Sequence, residues 1–315
     1  MKNILLVRIG ELCNASCFMC DFAQHKKKRM LSKDEFESIK SYVIKEKCEL
    51  VRFTGGETLL NDNVAQYINE LKQHNCVTSI ITNGYYLKDK YKDICENGLD
   101  QVIVSLDGDI PEIHNMVRNT EGIYEAAVEG IRLIKRDFSN VVVRVNTVVN
   151  KNNYNRLLKL YKLLNQLGVD QWSIIPVKIE AGYWKDIEFN SYKDSYYEFM
   201  DNLNLDKPRL LGYSKQWAGR DEDEIKEYYT SGKTFTPKHR CNLVKYLRFY
   251  NPFDQELVPC NCAVHRLEDY NKNISATQGI EWLFNNIHQY CKGCEPINAY
   301  ISEHIEELDK DIFSF

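Results

Sequence analysis

Several common signals are missing from this sequence of 315 residues. No apolar run approaches the ~20 residues needed to span a bilayer, so we predict no membrane partner. The first residues, MKNILLVRIGEL, contain a short apolar run and no small-residue cleavage site, which argues against a signal peptide and favours a cytoplasmic protein. Basic residues are not in excess, since 41 Lys and Arg accompany 45 Asp and Glu. This balance predicts no nucleic-acid partner bound through its phosphates.

The composition is that of a folded chain. Hydrophobic residues make up 43% and charged residues 27%, which is enough apolar surface to bury a core. A chain of this length forms one large domain, or one large and one small domain.

The N-terminal part of the chain alternates between strands and amphipathic helices. Continuously apolar strands joined by crossover helices are typical of a parallel sheet buried on both faces. Six strand–helix units are too few for a closed eight-stranded barrel, so we predict an α/β fold with an open, partial (β/α)6 barrel over residues 1–190. The predicted strands are Ile4–Ile9, Leu50–Thr54, Val77–Thr82, Gln101–Leu106, Val141–Val149 and Trp172–Val177.

The pattern changes after the barrel. Residues 191–240 predict a connector of helices and loops, rich in aromatic residues. Residues 241–315 predict a small domain with a β-hairpin and a final helix near 298–310. The turn at Asn251–Asp254 joins the two short strands of the hairpin, Tyr246–Tyr250 and Glu256–Val258.

Cysteine is abundant, with eleven in the chain. An odd count without an export signal argues against a disulfide framework and favours metal binding. Three cysteines lie singly and are expected to be ordinary buried thiols: Cys48, Cys76 and Cys95. The others form an N-terminal group of Cys13, Cys17 and Cys20 and a C-terminal group of Cys241, Cys260, Cys262, Cys291 and Cys294.

The N-terminal cysteines follow the first predicted strand. In α/β barrels, ligands bind at the carboxyl ends of the strands. Three thiolates on one short loop can bind three irons of an iron–sulfur cube, which leaves the fourth iron open to a reacting ligand. The alternative for these residues is a zinc site completed by His25.

This Cys-x3-Cys-x2-Cys spacing resembles the cluster motif of the radical S-adenosylmethionine (SAM) superfamily. Further stretches resemble that family in the same order, each at the end of a predicted strand. They are Thr54-Gly55-Gly56-Glu57, Thr82-Asn83-Gly84, and Ser105-Leu106-Asp107-Gly108 continuing through His114 to Arg118.

The resemblance implies a [4Fe–4S] cluster on Cys13, Cys17 and Cys20, with SAM bound at its open iron. It implies that Phe18 or Met19 packs against adenine. It further implies that the methionine group, carboxylate or ribose of SAM is bound by Gly55, Gly56, Glu57, Thr82, Asn83, Ser105 and Asp107.

On the fifth strand, Arg144 and Asn146 alternate with Val143 and Val145, so both are candidates to orient substrate or SAM or to take a proton. Beyond the sixth strand, Lys178 and Glu180 are weaker candidates of the same kind.

The C-terminal cysteines resemble the auxiliary-cluster extension of radical SAM enzymes, of the twitch or SPASM type. The resemblance implies a second [4Fe–4S] cluster on Cys241, Cys260, Cys291 and Cys294, with structural zinc as the alternative. Cys262 either replaces Cys260 as a ligand or is a free thiol that returns hydrogen to a substrate radical.

The resemblance implies an enzyme that generates a 5′-deoxyadenosyl radical and takes hydrogen from a small polar substrate, such as a sugar or cyclitol of specialised metabolism. Oxidation or epimerisation would follow. Such an enzyme needs an electron donor such as flavodoxin or ferredoxin.

Two other functions stay open. One is a maturase or epimerase acting on a ribosomal peptide. Such enzymes often carry a leader-binding domain before the barrel, whereas here the cysteines begin at Cys13. The other is a non-catalytic metal-binding module.

Overall fold

A computed structural model gives the fold of the chain. Everything below refers to the residues that it describes, which are 3–20, 28–176, 189–203, 207–215, 217, 220–231, 241–253, 256–258, 285–286 and 296–306.

The described strands form one sheet, in the order β7-β6-β5-β4-β3-β2-β1-β8-β9. Neighbouring strands are parallel except for β8 and β9, which are antiparallel. The predicted α/β class and open partial barrel are therefore confirmed. The strands are β1 (Ile4–Gly10), β2 (Leu50–Gly55), β3 (Val77–Thr82), β4 (Gln101–Ser105), β5 (Val142–Val149), β6 (Gln171–Pro176), β7 (Arg209–Leu210), β8 (Leu247–Asn251) and β9 (Glu256–Val258).

Helices connect and cover the strands. The first begins at a capping box, in which the Ser32 hydroxyl accepts from the Glu35 backbone N–H and the Glu35 carboxylate accepts from the Ser32 backbone N–H. The described helices are α1 (Lys33–Glu46), α2 (Val64–Lys72), α3 (Leu87–Glu96), α4 (Pro111–Arg118), α5 (Ile123–Asp137), α6 (Leu157–Gln166), α7 (Phe189–Asp201), α8 (Glu222–Ser231) and α9 (Pro296–Glu303). Among the described helices, none has the length and apolarity to cross a bilayer.

Alternation along the strands separates an outer face from an inner face. Outer-face residues pack against the helices in one large core; Val7 and Phe53, for example, share this core with Phe36 and Ile39 of α1. This contact explains why every second strand position is apolar and buried.

The inner face has a separate apolar cluster at its lower end, which we call the apolar floor. It comprises the buried residues Ile4, Leu50 and Leu243 with Leu6, Val77, Leu247, Ile301 and Ile305 packed against them. The floor joins the start of the parallel strands to the segment around α9.

The structure adds two strand pairings that the sequence did not predict. The short β7, in the segment predicted as helices and loops, pairs in parallel with β6. β8 pairs with β1 in parallel register, from Ile4 opposite Leu247 to Val7 opposite Tyr250. The hairpin of β8 and β9 therefore extends the barrel sheet. The predicted boundaries at residues 190 and 240 stay predictions.

Burial on α1 gives a matched test of the outer core. Ile39 is 1% exposed and Ile44 is 47% exposed on the same helix. Ile39→Ala should lower the free energy of unfolding by about 2–5 kcal/mol, because it leaves a cavity against the sheet. Ile44→Ala should change it by less than about 0.5 kcal/mol. Urea unfolding of both variants measures the difference; equal effects would contradict this packing.

Candidate active site

The N-terminal cysteines lie on the thiol loop, which we define as residues 11–20 after β1. Backbone hydrogen bonds join the residues that follow β2 to the last residue of β1 and to this loop, from Gly56 N to Gly10 O (2.9 Å) and from Glu57 N to Leu12 O (2.8 Å). A Cβ on Gly55 or Gly56 would collide with the carbonyl oxygens of Gly10 or Leu12. Gly55 also has a φ of 135°, which favours glycine. The two glycines are thus required for β2 to approach the thiol loop.

Glu57 connects the ends of β2 and β3. It is 1% exposed, and its carboxylate accepts hydrogen bonds from Thr82 Oγ1 (2.6 Å), Asn83 N (2.7 Å) and Leu59 N (2.9 Å). Burial raises the pKa of this carboxyl group, although the three hydrogen bonds oppose the shift.

Asn83 connects the end of β3 to the thiol loop. Its Nδ2 donates to Asn14 Oδ1 at 2.8 Å and lies 3.9 Å from Cys13 Sγ, while its Oδ1 accepts from Tyr85 N at 2.9 Å. Asn14 Nδ2 is buried and has no hydrogen-bond partner among the described residues. The loop therefore presents one buried donor that a bound ligand would satisfy.

A buried ion pair after β4 reaches the thiol loop from the other side. Arg118 Nη2 lies 2.7 Å from Asp107 Oδ2, and Arg118 Nη1 donates to Cys17 Sγ at 3.8 Å. The other oxygen of Asp107 accepts from Val148 N at 2.8 Å. Burial alone would lower the pKa of Arg118, but Asp107 and Cys17 raise it above its usual value. Arg118 is thus a fixed cation beside a thiol.

His114 stabilises the same turn in its neutral form. Its Nδ1 accepts a hydrogen bond from the Asp107 backbone N–H at 3.0 Å. Burial and the Arg118 charge hold the pKa of His114 well below its usual value. A neutral imidazole avoids placing a second cation beside Arg118.

Further predicted residues lie on the inner face, with Ser105 at the end of β4 and Arg144 and Asn146 within β5. Ser105 is directly opposite Asn146 in the sheet, and Arg144 Nε donates to Asn146 Oδ1 at 2.9 Å.

The two residues predicted to pack against adenine lie on the thiol loop. Phe18 is half-buried, and its backbone N–H donates to Val117 O at 3.4 Å. Met19 packs against both the main core and the cysteines.

Comparison with known proteins identifies the family. The family model described as "Radical SAM superfamily" matches residues 7–164. The chain belongs to the radical SAM superfamily. The motifs and the open barrel above are therefore those of a radical SAM enzyme.

Curated relatives match part of the chain. The "Probable GTP 3',8-cyclase" of Saccharolobus islandicus (strain L.S.2.15 / Lassen #1) is 28% identical over 207 residues, covering 64% of this chain and 66% of the relative. The protein of the same name from Thermococcus kodakarensis is 27% identical over 150 residues, covering 47% of this chain and 48% of the relative. The chain thus spans less than two thirds of the length of these relatives.

Solved structures share the fold. "Streptococcus suis SuiB bound to S-adenosylmethionine" has a TM-score of 0.63 at 13% identity, covering 96% of this chain and 68% of SuiB. "Native anSMEcpe with bound AdoMet and Cp18Cys peptide" has a TM-score of 0.61 at 19% identity, covering 100% and 97%. At these identities the likeness concerns the fold alone.

The radical SAM family implies a [4Fe–4S] cluster and SAM, and the thiol loop fits the cluster. Cys17 is buried, and Cys13 and Cys20 are half-buried on the same loop. Burial raises the pKa of Cys13 to about 11 despite a hydrogen bond with the Ala15 backbone, and Glu57 and the other two thiols add to the shift. The Cys13 thiolate therefore needs a positive group beside it, which the iron of a cluster supplies.

A single metal ion such as zinc fits the three thiols less well than a cluster does. Across the described ranges, no group of three or more His, Cys, Asp or Glu side chains is close enough to hold one ion. An iron–sulfur cube binds each thiolate through a different iron, so it does not need the thiols to converge. His25, the fourth ligand of the zinc alternative, is outside the described residues.

The structure gives several predicted SAM-binding residues a structural partner. Gly55 and Gly56 face the backbone of Gly10 and Leu12, Glu57 and Thr82 bind each other, and Asp107 binds Arg118. Their contacts with SAM stay predictions.

Most of the C-terminal cysteines lie outside the described residues, namely Cys260, Cys262, Cys291 and Cys294. Two other predicted residues also lie outside them, Lys178 and Glu180. Cys241 is half-buried and packs against the apolar floor. The auxiliary cluster and the hydrogen-donor role of Cys262 stay predictions. The single cysteines Cys48, Cys76 and Cys95 are buried, as expected.

Sequence reasoning missed the contacts of Arg118 and Asn14, and the inward arginines Arg8 and Arg52. The alternation of strand residues between the two faces could have identified these arginines, because each lies two positions from an apolar inner-face residue of its strand. No comparable signal predicted a contact between residues as distant in sequence as Arg118 and Cys17.

The Arg118 contact predicts a measurable electronic effect. Arg118→Lys keeps the charge near Asp107 but loses the planar group that spans both Asp107 and Cys17. Because hydrogen bonds to ligand sulfur stabilise the reduced cluster, the midpoint potential should become more negative. An anaerobic titration followed by electron paramagnetic resonance measures it.

The control is Arg156→Lys, which alters a bidentate ion pair to Asp109 with 2.7 Å contacts. No contact between Arg156 and a thiol is found in the described part of the chain. An unchanged potential in Arg118→Lys, or an equal change in both variants, would contradict the assigned role.

Proposed function

We propose that this radical SAM enzyme abstracts a hydrogen atom from a small polar substrate bound inside the barrel, and that oxidation or epimerisation follows. The polar lining of the inner face between the thiol loop and the apolar floor carries the proposal. Arg52 Nη2 donates to Gln101 Oε1 at 2.9 Å, and Gln101 Nε2 donates to Gln171 Oε1 at 3.1 Å. An interior built for packing alone would be filled with branched apolar side chains.

In this proposal, residues at different levels of the barrel have different roles. The apolar floor excludes water from below, and the polar lining offers donors and acceptors to orient a substrate. Above them, at the carboxyl ends of the strands, Cys13, Cys17 and Cys20 of the thiol loop would hold the cluster. When bound, the cluster and SAM supply a 5′-deoxyadenosyl radical that takes hydrogen from an unactivated C–H bond.

The curated relatives support a substrate of this size. They are named for a reaction on GTP, a small polar molecule, at 28% identity. A peptide substrate is the alternative, and an electron donor such as flavodoxin or ferredoxin is part of the proposal. We also propose that the auxiliary cluster, on Cys241, Cys260, Cys291 and Cys294, belongs to this chain.

Cluster binding has a matched test in two buried cysteines. Cys17→Ala should remove roughly four irons per chain and abolish formation of 5′-deoxyadenosine from SAM and dithionite. Cys95→Ala should leave both unchanged, because Cys95 lies on α3 and packs in the main core. Iron and sulfide are counted after anaerobic reconstitution. Wild-type protein that binds iron without splitting SAM would contradict the proposal.

The class of substrate is tested with an extract of the source organism grown in deuterated medium. The extract is separated by ultrafiltration into small molecules and retained macromolecules. The small-molecule fraction should transfer deuterium into 5′-deoxyadenosine, measured by mass spectrometry. Transfer from the retained fraction alone would contradict a small substrate and favour the peptide alternative.

A further inference from the structure

Among the described residues of strands β1 to β6, the charged side chains are all of one sign. The described strands β1 to β6 contain no Asp, Glu, Lys or His and three arginines, Arg8, Arg52 and Arg144. Each arginine is at an inner-face position, because its strand neighbours Val7, Phe53 and Val143 pack outward in the main core. Three guanidinium groups therefore line one side of the sheet.

Arg52 is buried among neutral polar groups. It is 7% exposed, and its Nε donates to Ser79 Oγ at 3.1 Å while its Nη2 donates to Gln101 Oε1. Burial lowers its pKa to about 10, and no described acidic group contributes to that pKa. Arg52 thus remains a cation at neutral pH with only neutral partners, an arrangement that costs free energy.

The arginines belong to one connected surface. Arg52 is linked through Gln101 to Gln171, which is directly opposite Arg144 in the sheet. On β1, Arg8 is two residues beyond Leu6, the residue opposite Arg52, and its guanidinium carbon lies 5.6 Å from the centre of the Phe249 ring. The three cations consequently face the same interior.

Ser173 provides an independent indication of a ligand. It is fully buried on the inner face of β6, opposite Asn146 and two residues from Gln171. Its Oγ has no hydrogen-bond partner among the described residues. A buried hydroxyl without a partner is costly unless something else fills the site.

We propose that this inner face binds an anionic group of the substrate, a phosphate or a carboxylate, with Arg52 as its main cation and Arg8, Arg144 and Ser173 around it. The inference rests on the proposed function, since it assigns a chemical class to the same substrate. Arginine suits this task because its planar fork matches the oxygens of phosphate and carboxylate groups.

Calorimetry on the holoenzyme tests the proposal. The protein carries its oxidised cluster and saturating SAM, so that neither the open iron nor the SAM site is available to the probe. The probes are inorganic pyrophosphate, malonate and, as a neutral polar control, myo-inositol. Pyrophosphate or malonate should bind, and whichever binds more tightly identifies the anion as phosphate-like or carboxylate-like.

Variants locate the binding. Arg52→Gln should weaken binding of the preferred anion at least about tenfold, whereas Arg52→Lys should weaken it less because the charge remains. Arg132→Gln is the control, because Arg132 is on the outside of α5 with a 60% exposed side chain. If circular dichroism shows that Arg52→Gln does not fold, Arg144→Gln replaces it with the same expected loss.

The outcomes separate the two proposals. Binding of neither anion, or equal binding by wild type, Arg52→Gln and Arg144→Gln, overturns the anionic site. Wild-type protein from the same preparation is also given dithionite. Formation of 5′-deoxyadenosine without anion binding leaves the proposed function standing and overturns only this inference.

Discussion

The backbone hydrogen bonds between the thiol loop and the end of β2 are the contacts on which the site depends. The thiol loop contains no helix or strand of its own, so its shape is fixed by its neighbours. Gly56 N donates to the carbonyl of Gly10, directly before the loop, and Glu57 N donates to the carbonyl of Leu12 within it. Because a side chain at Gly55 or Gly56 would collide with these carbonyl groups, the start of the loop and the end of β2 are required to match each other.

Parallel strands explain how so many separate segments reach one short loop. Their carboxyl ends meet at one edge of the sheet, which brings Asn83 from the end of β3 and Arg118 from the helix after β4 to opposite sides of it. Both donate to thiols. Cys13, beside the Glu57 carboxylate, has no cation as near as the one that accompanies Cys17 within the described residues. This asymmetry means that the thiols of one cluster differ in their electrostatic surroundings.

The sequence predicted the fold well where the signal is local. Apolar strands and strand-end motifs depend on nearby residues, and the sequence predicts both. The pairing of β8 with β1 joins residues that are far apart in the chain, so no periodicity could reveal it. The roles of individual side chains were harder to predict from the sequence, because they also depend on contacts between distant residues. Asp107 and Glu57 are family-motif residues, yet their carboxylates are used by Arg118, Thr82 and backbone N–H groups, which only the folded geometry shows.

Stability and binding are linked on the inner face. A buried guanidinium with neutral partners raises the free energy of the folded state, and the same cost falls when an anion binds. A ligand that binds only the folded chain also stabilises it in proportion to the logarithm of its concentration. The apolar floor, formed partly by Ile301 and Ile305 near α9, closes the same interior from below. Arg52 is two residues beyond Leu50, a residue of this floor on the same strand, and burial away from water strengthens the attraction between a cation and an anion.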